Sequence, residues 1–357
     1  MKLKRNAIAG VALMAMCALV LAGCSSDSAA GDDSTKISML NSGSMTDSSW
    51  TQNWYEGSLQ AQEVLGDNYS ISYTDQLNSA DSLERAGGAA LSEGATAVIY
   101  GTSEVPQALD RLAKKFPNAF VCGAEGPRKE YLPNVCTMYP HWEEGAFLSG
   151  VLAGLTTKTK HVGAIGAFDS PTLTSQMEAF ALGVRYVDPT IKVDKVYTMS
   201  LSDTAAARAA ADAQYAAGAD IILVALNDAI RGVFAAAEKH GGLVIGQYVD
   251  WYDEAPDAVL GSVLYHLDEV SKRMIELAAA GKLEAKSYEF SLANGPFGEL
   301  AEFRGSTGEL VTDETRAELE RLANAIRDGK LVLPGIHEIG MQGASDKVDL
   351  KSLKIAG

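Results

Sequence analysis

Short apolar runs of strand length alternate with helix-length segments from residue 37 to about residue 328. That alternation restricts the fold more than any other feature of the chain. Strand-like runs fall at 37–40, 69–73, 97–100, 119–122 and 135–138, separated by helical patterns at 51–64, 80–91, 105–115 and 142–155. A second set begins after 156–159, with strands at 161–165, 192–197, 220–224, 243–246 and 259–264 and helices at 172–186, 204–216 and 229–240. Strands joined through helices must run parallel, and nearly continuous apolar strands are covered on both faces. Two sets of similar length predict an α/β architecture of two doubly wound parallel-sheet lobes. A further helix is expected over 268–280, extra strands over 287–292 and 299–303, and a polar amphipathic helix over 312–328. Crossovers between lobes are expected near 156–160, 266–268 and 281–287. This assigns 36–157 and 267–284 to the N-terminal lobe, and 158–266 and 285–357 to the C-terminal lobe.

Composition narrows the function. An apolar fraction of 47% over 357 residues buries enough surface to offset chain entropy, which excludes general disorder. The formal charge of −16 would be repelled by phosphate backbones, and no basic stripe is interleaved with aromatics, so nucleic acid is not an expected partner.

The first residues read as an export signal over 1–23. Lys2, Lys4 and Arg5 precede an apolar run over 7–21, which is too short for a stable membrane span. Leu21-Ala22-Gly23-Cys24 resembles a bacterial lipobox, in which the cysteine is lipidated and becomes the first residue of the mature chain. The expectation is a protein anchored through Cys24 to the outer face of the cell membrane, with 24–35 as a flexible tether. Loss of the three basic residues takes the formal charge from −16 to −19. Cys17 leaves with the signal, so Cys122 and Cys136 remain. In an oxidising compartment they form either a disulfide or two buried thiols. There is no Cys-x-x-Cys, and His141, His161, His240, His266 and His337 are scattered, so neither a metal nor a cofactor is expected.

Ligands of open parallel sheets bind beyond the carboxyl ends of the strands, and two lobes bring those ends together across a cleft. The candidates from the first lobe are Asn41, Ser42, Asp47, Trp50, Thr51, Gly101, Thr102, Glu125 and Tyr139. The second lobe supplies Phe168, Asp169, Leu201, Asn227, Asp228, Tyr248 and Asp250. Hydrogen-bonding groups beside aromatic faces are the mix of a small-molecule cleft. Trp50 and Trp54 share a helix face; one arrangement packs Trp54 on the sheet and turns Trp50 into the cleft, and the other buries both. Asp47, Asp203 and Asn227-Asp228 can equally be helix-start residues.

Catalytic motifs are missing. The chain contains no Gly-x-Ser-x-Gly, no Walker sequence and no His-Glu-x-x-His, and the stretch from Gly163 to Gly166 lacks the third glycine of a dinucleotide fingerprint. Glu143 and Glu144 are adjacent and point apart on a helix. A secreted hydrolase on this scaffold would need Asp47, Asp169 and Asp250 to converge on a divalent ion; the expectation is a binding protein, not an enzyme.

The segment Asp47-Ser-Ser-Trp50-Thr-Gln52 with Gly57 after the first strand resembles the opening of the basic membrane protein family of transporter-associated binding lipoproteins. Further similarity lies in Glu144-Gly145-x-Phe147-Leu148-x-Gly150, Gly218-Ala219-Asp220-Ile221-Ile222, Gly232-Val233-x-x-Ala236 and Ile245-Gly246. The resemblance implies the type I periplasmic-binding fold, closure about a hinge, an ABC permease as partner and a purine nucleoside as ligand. It places Trp50 on the family's first stacking aromatic and Asp250 on its ribose-binding aspartate. Thr51 stands where asparagine is usual, Asn41 where an aspartate often follows the first strand, and Leu201 for the second stacking aromatic. Tyr248 replaces an aspartate and Tyr265 a lysine. A nucleoside or nucleobase is the expected ligand, with a sugar or another small metabolite, and a sensor role, as the alternatives.

Overall fold

A computed structural model describes residues 34–77, 79–103 and 106–355. The expected signal segment, Cys24 and the tether up to residue 33 lie outside the described residues.

The chain opens as β1 (Thr35–Leu40), α1 (Trp50–Leu65), β2 (Tyr69–Thr74), α2 (Ala80–Ser92), β3 (Ala95–Tyr100), α3 (Pro106–Lys115), β4 (Phe120–Gly123) and β5 (Val135–Pro140). Helix α4 (Trp142–Thr156) leads into the second series: β6 (His161–Gly166), α5 (Pro171–Val187), β7 (Lys192–Tyr197), α6 (Thr204–Ala216), β8 (Ile221–Ala225), α7 (Ile230–His240), β9 (Leu243–Tyr248) and β10 (Val259–Leu264). It ends with α8 (Leu267–Ala279), β11 (Ser287–Phe290), β12 (Glu299–Leu300), α9 (Gly305–Gly308), α10 (Asp313–Arg327) and α11 (Ile336–Ile339).

Two sheets of six strands result, ordered β11-β5-β4-β3-β1-β2 and β12-β10-β9-β8-β6-β7. All pairings are parallel except that of β12 with β10. Burial follows position in the sheet. Every residue of β5, β6 and β8 is buried because helices cover both faces, whereas edge strand β2 alternates half-buried and exposed residues. Helix starts carry their own caps: Ser79 exchanges bonds with Ser82, Asp203 accepts from the Ala205 and Ala206 amides, and Thr312 accepts from the Thr315 amide.

Sheet membership departs from the expected boundaries in two places. Helix α4 follows a first-lobe strand yet packs in the second lobe. It is buried all round from Trp142 to Ala153; Trp142 stays in the first-lobe core, and from Ala146 onward its apolar side chains join the core formed by β6, α5 and α10. At the crossing with α5, a Cβ on Gly150 would strike the Phe180 backbone and one on Gly183 the Phe147 backbone, so the two helices touch main chain to main chain. The first crossover is therefore His141, not 156–160. Strand β11 pairs with the open edge of β5, from Ser287 opposite Thr137 to Phe290 opposite Pro140, so it belongs to the first sheet. The third crossover is then 291–298. The second, at His266, has a φ of 47°.

Cys122 and Cys136 face each other in register on β4 and β5 and are joined as a disulfide.

Candidate functional site

The loops after β1, β3, β6, β7 and β8 and the end of β9 converge between the lobes on a cavity of about 280 Å³. Its wall is formed by Ser42, Trp50, Thr51, Thr102, Ser103, Phe168, Ser170, Thr172, Leu173, Leu201, Asn227 and Tyr248. These side chains carry seven hydroxyls, one amide, aromatic faces from both lobes and no formal charge. A second chamber of about 360 Å³ shares Ser42, Phe168, Leu201 and Asn227 with the first and adds Asp47, Gln76, Met199 and Asp228. The cleft thus has a neutral, aromatic inner end and an acidic outer end. Met199 is 70% exposed on the outer rim.

Local structure explains how these groups are held. The start of α1 leaves amides without helical partners. Asp47 supplies them with acceptors: Oδ1 takes the Ser49 amide at 2.9 Å and the Gln52 amide at 3.1 Å, and Oδ2 takes the Thr51 amide at 3.1 Å. The same Oδ2 accepts from Asn227 Nδ2 at 2.9 Å, a bond that spans the two lobes. Burial raises the pKa of Asp47, and the three amides partly offset that shift. Burial also raises Asp228, against the pull of Arg231.

Trp50 is half-buried on the cavity wall, and Trp54, one turn on, is completely buried. The Trp50 indole N–H donates to the Gly101 carbonyl at 2.7 Å. Its ring lies 5.2 Å from Trp142 and 5.2 Å from Tyr248, which it meets edge-on. Tyr248 ends β9 with a φ of 79°, a strained value for a bulky residue. Its hydroxyl donates to Gln176 Oε1 at 3.2 Å, and the Trp50 contact locks its ring.

Trp50, Thr51, Phe168, Leu201, Asn227 and Tyr248 meet at the inner chamber, and Asp47 and Asp228 line the outer one. Six other expected residues do not line either chamber, among them Tyr139, which is buried with its hydroxyl donating to Glu143 at 2.7 Å. Asn41 is fully buried, its Oδ1 accepting the Ser42 amide, and Gly101 contributes its carbonyl to Trp50. Glu125 is ion-paired with Arg128. Asp250 is exposed and bonded to Arg304 at 2.5 Å. Asp169 accepts from Thr174 at 2.9 Å, so Asp47, Asp169 and Asp250 each have separate partners. Among the described residues no group of three or more His, Cys, Asp or Glu side chains could hold a metal ion, and no helix is long and apolar enough to cross a membrane. Sequence reasoning missed Ser103, Ser170, Thr172 and Leu173. The signal for the last three was present: Ser170-Pro171 opens a helix directly beyond a strand end.

A charged cluster occupies the crossover beside the cavity. His141 lies between Glu143 (2.9 Å) and Glu289 (2.6 Å). Burial alone would lower its pKa, but the two carboxylates outweigh burial and push it up to about 10. Glu144 accepts the Leu292 amide at 2.8 Å, and burial pushes its pKa up to about 7.

Comparison with known proteins places this geometry. A family model described as ABC transporter substrate-binding protein PnrA-like matches residues 34–303. Basic membrane protein A of Borreliella burgdorferi is 24% identical over 340 aligned positions, covering 90% of this chain and 94% of that protein. A protein of Lactococcus lactis subsp. cremoris named ABC transporter nucleoside-binding protein BmpA is 25% identical, with 93% and 99% covered. Among solved structures, an ABC transporter solute-binding protein of Aeropyrum pernix shares the fold with a TM-score of 0.75 at 18% identity, covering 84% of this chain and 94% of its own.

Proposed function

The chain belongs to the family of PnrA-like ABC transporter substrate-binding proteins, and on that footing we propose that it captures a nucleoside or nucleobase in the inter-lobe cleft. We further propose that it is anchored through Cys24 and delivers the ligand to an ABC permease. The observation that carries the ligand reading is the pairing of the two chambers. The inner one offers the faces of Trp50 and Phe168 with hydroxyls around them, the setting for a neutral heteroaromatic ring. The outer one offers the Asp228 carboxylate and the Asn227 amide to sugar hydroxyls, and its acidity disfavours a phosphate. The lactococcal relative named as nucleoside-binding supports the same class.

Ligand binding stabilises the folded state, by about 2.7 kcal/mol at one hundred times Kd. A thermal-shift series of nucleosides, nucleobases, nucleotides and free sugars tests the reading. Nucleosides or bases should raise the melting temperature and the matching nucleotides should not. A shift with free sugars alone would transfer the site to a carbohydrate.

A further inference from the structure

The chain beyond the matched region runs back across the cleft. After α10 it places Ile336 in the core of the first lobe and Ile339 in that of the second, both buried. On the first-lobe side the Ile336 amide donates to the Tyr139 hydroxyl at 3.0 Å, the Ile336 side chain lies against Gly126, and His337 Nε2 donates to the Pro127 carbonyl at 2.6 Å. Tyr139 and the 126–127 loop stand at the carboxyl ends of β5 and β4. On the second-lobe side Gly340 lies against Pro171, at the start of α5. The chain is then tied down by buried Glu178, which accepts the Gly343 amide at 2.9 Å and the Ser345 amide at 3.0 Å and pairs with Lys195 at 2.6 Å.

We propose that residues 335–345 are a strap that limits how far the cleft opens. The two lobes cannot separate without breaking one of its ends. Opening by rotation about His141, His266 and 291–298 would pull the Tyr139 and Pro127 contacts away from the Glu178 anchor. On the first lobe the strap lies at the ends of β4 and β5 and the two chambers at the ends of β1 and β3; on the second lobe the strap meets Pro171, between the chamber residues Ser170 and Thr172, so it borders the inner chamber on that side. The proposal regulates the site described above and rests on that site being the ligand cleft; it does not depend on which ligand binds.

Hydrogen–deuterium exchange on the ligand-free, full-length protein tests it in two variants that release opposite ends: His337→Ala for the first lobe and Glu178→Gln for the second. Both should accelerate exchange in segments 41–52 and 224–230, for which the structure shows no strap contact. The expected factor is about five or more, the scale of one lost net hydrogen bond. Faster release confined to 334–345 and the residues it touches would show a merely structural tail and overturn the proposal. If His337→Ala fails to fold, His337→Phe removes the same bond to the Pro127 carbonyl while keeping a ring. Because no ligand is present, a failed nucleoside assignment leaves this readout unaffected.

Discussion

Replacing Trp50 tests the site most directly, because the structure gives this residue two duties. Its indole N–H is bonded to the Gly101 carbonyl, its ring contacts Trp142 and Tyr248, and the rest of the ring lines the inner chamber. Truncation to alanine removes one hydrogen bond, worth about 1 kcal/mol net, and three aromatic pairs, with Trp54, Trp142 and Tyr248, worth about 0.5–1.5 kcal/mol each. With the cavity left behind, the loss of stability should reach about 3–5 kcal/mol, and the ligand-free melting temperature should fall sharply. A stacked base should in addition lose about 1–3 kcal/mol of binding, a five- to hundred-fold drop in affinity of the folded protein. Trp50→Phe separates these duties. It keeps an aromatic face but lacks the N–H, and the Gly101 carbonyl beside the chamber can turn to water, so stability should fall by about 1 kcal/mol. Affinity should then stay within about three-fold of wild type. Calorimetric titration with a nucleoside at a temperature where each variant is folded, together with ligand-free melting curves, reads both effects. If folded Trp50→Ala binds as tightly as wild type, the stacking argument is wrong. Equal affinity losses in the two variants would instead assign the effect to the N–H.

Asn227→Ala should weaken ligand binding several-fold while leaving α1 intact, since Asp47 keeps its three amides; Asp47→Ala should additionally lower stability by about 1–2 kcal/mol through the lost cap. Asp250→Ala, outside both chambers, should leave affinity unchanged in the same titration. A carboxyl whose folded pKa is raised binds more protons folded than unfolded, so stability should fall as pH rises from about 4.5 through about 7 as Glu144 ionises; melting curves of Glu144→Gln should be flatter across that window. Reducing the Cys122–Cys136 bond, which closes a short loop between neighbouring strands, should cost about 3 kcal/mol and lower the melting temperature without displacing the chamber residues.

The alternation of strand and helix, the parallel sense of the sheets and the loops at which a ligand cleft would lie were legible in the sequence, because each depends on local periodicity and on the chain's inability to close short parallel connections. Tertiary structure alone decided the rest. Helix α4 looks like a continuation of the first lobe, but beyond its first turn it is apolar nearly all round and must be enclosed, and α5 and α10 enclose it only in the second lobe. Strand β11 was readable as a strand, yet its sheet was set by which edge stood open beside β5. Asp47 and Asp250 are both acids in loops near strand ends, and one is buried across the lobes while the other is at the surface with Arg304. That difference comes from residues 180 and 54 positions away, respectively, which no local pattern carries. For the same reason the strap over residues 335–345 has no sequence signature: a few residues around two isoleucines become a crosslink only because the first lobe presents Tyr139 and Pro127 to one end and the second presents Glu178 to the other.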